Sequence, residues 1–182
     1  MNISNYEDAF KGANRMKIKI GDLIVSDDME VDFEDITGSL TIETGVKFKA
    51  KNLKKVGGDL CIHSNATLNV DKLETIGGDL YIHSNATLSA DKLETIGGNL
   101  YIHSNATLPK LETIGGYLYI HSNATLPKLE TIGGDLCIHS NATLSADKLE
   151  TIGGYLYIYS SATLSADKLE TIGGDLYIHS NA

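Results

Sequence analysis

At 182 residues and 19.6 kDa, with 15 Lys and Arg against 24 Asp and Glu, the chain is one domain's worth of polypeptide with a formal charge of -9. That acidic balance lacks the basic footprint of ordinary nucleic-acid binding, so no direct nucleic-acid contact is expected. With 42% hydrophobic residues and no run near the ~20 apolar residues that span a bilayer, the composition reads as globular and no membrane insertion is expected.

Residues 1–16 come first. Met1 to Asp8 shows no basic stretch leading into an apolar run, so no secretory signal is read and a cytoplasmic location is expected. Ser4 or Asn5 is placed to cap a helix through Tyr6, Ala9 and Phe10, with Glu7 and Asp8 in its first turn. Residues 1–16 are therefore expected to form a short N-terminal capping helix over the open edge of the first repeat coil.

From residue 17 the chain is repetitive. Gly-Gly recurs at Gly57, Gly77, Gly97, Gly115, Gly133, Gly153 and Gly173, spacing the units by 18 or 20 residues. Within each unit a stretch such as Leu80, Tyr81, Ile82, His83 alternates apolar and polar residues, which is strand periodicity. The fold class read from this is mainly β, a single parallel β-solenoid of about nine coils. Residues 17–56 supply degenerate first coils and residues 57–182 the regular array, together one continuous domain. The shorter units replace Ser-Ala-Asp-Lys by Pro109-Lys110 and Pro127-Lys128, so a notch is expected at that corner of the middle coils.

Thr37 to Ile42 aligns with Gly57 to Ile62, and Gly21 to Val25 begins a still earlier coil. Segment 22–35 holds seven acids and no base, and segment 47–55 holds five lysines and no acid. Aligning Gly21 with Gly38 sets Glu30 against Lys47, Asp32 against Lys49 and Glu34 against Lys51, with Val31 beside Phe48 and Phe33 beside Ala50. The two blocks are thus expected to neutralise each other across adjacent strands, in preference to forming a phosphate site.

The repeated motif Leu73-x-x-Ile76-Gly-Gly-x-Leu80-x-Ile82-x-x-Asn85 resembles the leucine-rich repeat, and more closely the units of receptor L domains and related bacterial repeat proteins. The likeness covers residues 57–182 well and 17–56 poorly. It departs from standard leucine-rich repeats in placing Gly77 where the first strand Leu would sit and in offering no helix-length return segment. The resemblance implies stacked parallel strands and a binding role; it brings no ligand and no catalytic residues.

In the first regular coil Leu60, Ile62, Ala66, Leu68, Leu73 and Ile76 are expected inside. Asn65, Asn85, Asn105, Asn123, Asn141 and Asn181 are expected to form a corner ladder bonded to neighbouring coils; the Asn-Ala-Thr sequons are read as this ladder and not as glycosylation sites. Three outward rows remain. One runs Asp59, Asp79, Asn99, Tyr117, Asp135, Tyr155, Asp175. The next runs Cys61, Tyr81, Tyr101, Tyr119, Cys137, Tyr157, Tyr177. The third runs His63, His83, His103, His121, His139, Tyr159, His179 and holds every histidine of the chain.

One histidine per coil makes a linear row instead of a tetrahedral cluster, so no metal site and no cofactor are expected. Asp79 and His83, four residues apart on a strand, are too distant to act as a catalytic pair. Cys61 and Cys137, four coils apart, are expected to be free thiols. With no nucleophile beside a base and no phosphate loop, no enzyme is read.

The function expected is therefore non-enzymatic, intracellular binding of another protein through the rigid outer face. The candidate surface comprises Tyr81, Tyr101, Tyr119, Tyr157, Tyr177, His83, His103, His121, His139, Asp79, Asp135, Tyr117 and Tyr155, because tyrosine supplies contact area at low entropy cost. Two alternatives stand beside it. An acidic rod resembles phage-type inhibitors that occlude or mimic nucleic acid at a host defence protein, of the anti-restriction or anti-CRISPR kind; segment 57–182 carries 14 acids against six bases. The other is a carbohydrate-binding or adhesion repeat. An end-to-end homodimer through the C-terminal coil is the remaining partner expectation.

Overall fold

The computed structural model describes residues 17–179. Each repeat folds as a triangle with three short strands and three corners, as in Thr75–Ile76, Leu80–Ile82 and Thr87–Ser89. Successive triangles stack with every strand parallel and in register, Leu80 beside Leu60 and Leu100, Tyr81 beside Cys61 and Tyr101. Two faces are continuous nine-stranded sheets, one running from Ile18–Lys19 to Thr171–Ile172 and the other from Leu23–Val25 to Leu176–Ile178. The third face is split into two four-stranded sheets, Met29–Glu30 to Thr87–Ser89 and Ala106–Thr107 to Thr163–Ser165.

The side-chain alternation of a strand makes this closure possible, since Leu and Ile of Leu-x-Ile point inward while the central residue points out. All six expected core positions, Leu60, Ile62, Ala66, Leu68, Leu73 and Ile76, are fully buried, and Val70 joins them from the corner after the third strand. No polar residue among the described ones is buried, so the core is a continuous apolar column. The Gly-Gly corner exists because coils approach backbone to backbone there. A methyl group on Gly77 would collide with the Gly57 carbonyl oxygen, while the Gly78 amide donates to the Gly58 carbonyl at 2.9 Å.

Three expectations are corrected. The solenoid has about eight turns, not nine, because the unit opening at Gly173 contributes within the described residues only its corner and the strand Leu176–Ile178. The described residues contain strands and turns but no helix, against the expected capping helix, whose position, 1–16, lies outside them. The pairing of the first two coils also shifts along the chain. Leu23 sits beside Leu40 as aligned, but Met29, not Val31, sits beside Phe48, and Glu30 beside Lys49. The corner between Ile42 and Phe48 is two residues longer than that between Val25 and Met29, and this moves the register.

The charge blocks still meet, through other pairs. Glu30 pairs with Lys51 at 3.3 Å, and Glu34 lies between Lys17 and Lys54, which hold its carboxyl below the usual range. The notch expected at the corner of both middle coils appears only as a break on one side of the first, since Ala124–Thr125 of the second short coil pairs with the long coil after it. Where Ala106–Thr107 of the first short coil leaves Thr87–Ser89 unpaired, a cleft of about 510 Å³ opens, lined by Asn85, Ser89, Asp91, Asn105, Thr107 and Pro109 among others.

Candidate functional site

The second nine-stranded sheet displays the three expected rows side by side. Tyr81, Tyr101 and Tyr119 stack with ring centroids 4.7 and 5.0 Å apart and planes within 5° of parallel, and Tyr157 and Tyr177 repeat the arrangement at 4.9 Å. The strand spacing dictates this, since one ring per coil at ~4.8 Å is close to aromatic stacking distance. The histidine row forms a second stack, from His63–His83 at 5.1 Å through His103–His121 at 4.2 Å and His121–His139 at 3.7 Å to Tyr159 and His179. Partial burial within the stack and repulsion from neighbouring imidazoliums depress the basicity of His83, His121 and His139, His121 down to about 4.

The carboxylate row has a structural role that sequence reasoning missed. Asp59 Oδ1 accepts the Asp79 amide at 2.8 Å, Asp79 Oδ1 the Asn99 amide at 2.6 Å, Asn99 Oδ1 the Tyr117 amide at 2.7 Å and Asp135 Oδ1 the Tyr155 amide at 2.9 Å. Each side chain thereby ties one coil to the next. The remaining oxygen of Asp79 accepts the Tyr81 hydroxyl at 2.8 Å, and this bond, with burial, pushes the Tyr81 phenol well above its usual range. Asp79 therefore acts within the sheet and offers little free acceptor capacity.

Tyr117 and Tyr155 interrupt the ladder and stand out from it. Their side chains are 42% and 41% exposed, and each ring lies over the glycine of the following coil, Gly134 and Gly174. Tyr117 meets Tyr119 edge to face at 6.0 Å, and Tyr155 tilts against Tyr157 at the same distance. All thirteen candidate residues thus share one face.

The asparagine corner differs from expectation. Asn65, Asn85 and Asn141 take left-handed backbone conformations with φ of 61°, 58° and 66°, which asparagine tolerates better than most residues. A side-chain rung is seen between the short coils, where Asn105 Oδ1 accepts the Asn123 amide at 3.2 Å. Asn181 lies outside the described residues. Cys61 and Cys137 are free thiols, each near the histidine two residues on, with Sγ to Nε2 separations of 3.8 and 3.6 Å. Burial and a nearby aspartate, Asp59 or Asp135, push both thiols up.

No helix among the described residues is long and apolar enough to cross a membrane. These features define a parallel β-solenoid with one aromatic display face. No protein-family model, curated protein or solved structure matches the chain.

Proposed function

We propose that this chain is a non-enzymatic binding protein whose display face, on the Leu-x-Ile sheet, grips a partner protein inside the cell. The observation that carries the reading is the pair of parallel ring stacks held on a nine-stranded sheet. Rings fixed by their neighbours lose little further entropy on binding, so an aromatic face of this kind is pre-organised. The likeness of the Leu73 to Asn85 motif to receptor L-domain units supports a binding role of the same broad type. The test is a pull-down from lysate with the intact chain and with Tyr117→Ser/Tyr155→Ser, read by mass spectrometry at low and high salt. A partner retained in salt and lost with the double variant supports the reading; equal capture by both proteins defeats it.

Nucleic-acid mimicry toward a host defence protein is the second reading, favoured by a row of exposed glutamates at one per coil, Glu74, Glu94, Glu112, Glu130, Glu150 and Glu170. A parallel row of lysines from Lys72 to Lys168 dilutes that field. Capture of a nucleic-acid-binding complex that salt and competing DNA abolish would favour mimicry over the aromatic contact. End-to-end homodimerisation is proposed on the exposure of Leu176 and Ile178, 51% and 59%, at the outer edge of the described stack; a monomer by light scattering at tens of micromolar would remove it.

A further inference from the structure

The two cysteines interrupt the tyrosine row beside the histidine row, and at one of them the geometry converges. Cys61 Sγ lies 3.8 Å from Nε2 of His63, which follows the end of the same strand, and a ring nitrogen of His83, one coil on, completes a set whose ligand atoms all fall within 4.8 Å of one another. In a tetrahedral zinc site, bond lengths of ~2.3 Å to sulfur and ~2.05 Å to nitrogen place S and N ligands about 3.6 Å apart and two N ligands about 3.3 Å apart. The Cys61–His63 separation is already close to its value, while the other ligand atoms, within 4.8 Å, would draw together by up to about 1.5 Å on binding an ion. A single lane of histidines could not do this, because parallel rings one coil apart aim their lone pairs side by side; the thiol in the adjacent lane supplies the convergence.

We propose that Cys61 Sγ, His63 Nε2 and one ring nitrogen of His83 form a three-ligand site for a zinc-class transition-metal dication, with a fourth position open to solvent or to a partner's side chain. The chemistry of the donor set is consistent with this ion, since one thiolate and two imidazoles are the ligands such metals prefer. On binding, the Cys61 thiol releases its proton to solvent as the sulfur–metal bond forms. All three ligand residues are half-buried, which leaves the ion a path in and a face out.

The other Cys–His pair is the internal control. Cys137 is 6% exposed, and the coil after His139 carries Tyr159 where the first cluster has His83. Its neighbouring histidine is His121 on the preceding coil, stacked on His139 at 3.7 Å, and among the described residues this trio does not converge as the first cluster does, so it is expected to bind far more weakly. The fold tolerates change at the Cys61 position, because the same row holds Thr41 one coil earlier and Tyr81 one coil later.

The experiment is titration of the reduced, metal-free full chain with Co(II), followed by displacement with Zn(II). One equivalent of cobalt giving a thiolate-to-metal charge-transfer band with intense tetrahedral visible bands, both removed by zinc, is expected. Cys61→Thr and His83→Tyr should each lose the charge-transfer signal or its tetrahedral pattern with unchanged far-ultraviolet circular dichroism, while Cys137→Ser should behave as the parent. Binding without a thiolate band, or a band that survives Cys61→Thr, would overturn the assignment, as would two equivalents of which Cys137→Ser removes one.

Discussion

Asp79 shows how a single side chain on this face serves the fold. It accepts the Asn99 amide through one oxygen and the Tyr81 hydroxyl through the other. Asp79→Ala should lower stability by about 1–3 kcal/mol, since the next coil's amide loses its acceptor. Asp79→Asn should cost much less, because Asn99 already fills the same role one coil on; urea unfolding of the two variants separates them. At His121 partial burial, and then repulsion from the neighbouring His139 and His103 imidazoliums, resist protonation, and the folded value near 4 lies below the ~6.5 of an unfolded chain. The unfolded state therefore binds more protons as pH falls between these values. Stability from this residue is complete above pH ~6.5 and is lost toward pH 4. Melting temperatures between pH 7 and pH 5 should fall in the parent and fall less in His121→Tyr, which copies Tyr159 of the same row.

At the scale of strands and corners, much was legible because the repeat copies one solution many times. The Leu and Ile positions, the irregularity at the short coils and the three outward rows follow from alternation and repeat length. What escaped the sequence were consequences of neighbouring coils meeting at atomic distance. The Asp59 to Tyr155 ladder depends on a carboxylate reaching an amide one coil away, and the Cys61 cluster on two lanes converging. The early register was misread because the degenerate coils share the Leu-x-Ile strand but vary in corner length, and alternation alone does not count loop residues. The short coils offer a direct test of the link between loop length and pairing. In the continuous part of the third face, Thr87 donates its amide to Ala66 at 2.9 Å and Val70 donates to Ser89 at 2.9 Å. The equivalent donors across the break are Ala90 and Thr107. Replacing both Pro109-Lys110 and Pro127-Lys128 by Ser-Ala-Asp-Lys should join the two four-stranded sheets and slow hydrogen exchange at those two amides. Two new backbone bonds should add about 1–3 kcal/mol; unchanged exchange at Ala90 and Thr107 would show that loop length does not set the break.

At the scale of the whole molecule, the solenoid is a one-dimensional stack in which each coil touches only its neighbours, so stability is a sum of coil terms and interface terms. Removing residues 77–96 excises one 20-residue coil and joins Ile76 to Gly97, where the next Gly-Gly corner begins. The Leu-x-Ile sheet then pairs Leu60–Ile62 directly with Leu100–Ile102, chemically the same contact that Leu80–Ile82 now makes. The Gly57 and Gly97 corners meet as Gly57 and Gly77 do at present, with no Cβ to obstruct them. The shortened chain should therefore fold, with a rod about 5 Å shorter by small-angle scattering and a denaturant m-value lower by roughly an eighth. Its melting temperature should fall because one favourable interface is gone. A shortened chain that aggregates or loses its β circular dichroism would mean that coil 77–96 carries a role its neighbours cannot supply, contrary to a stack held together by identical local contacts.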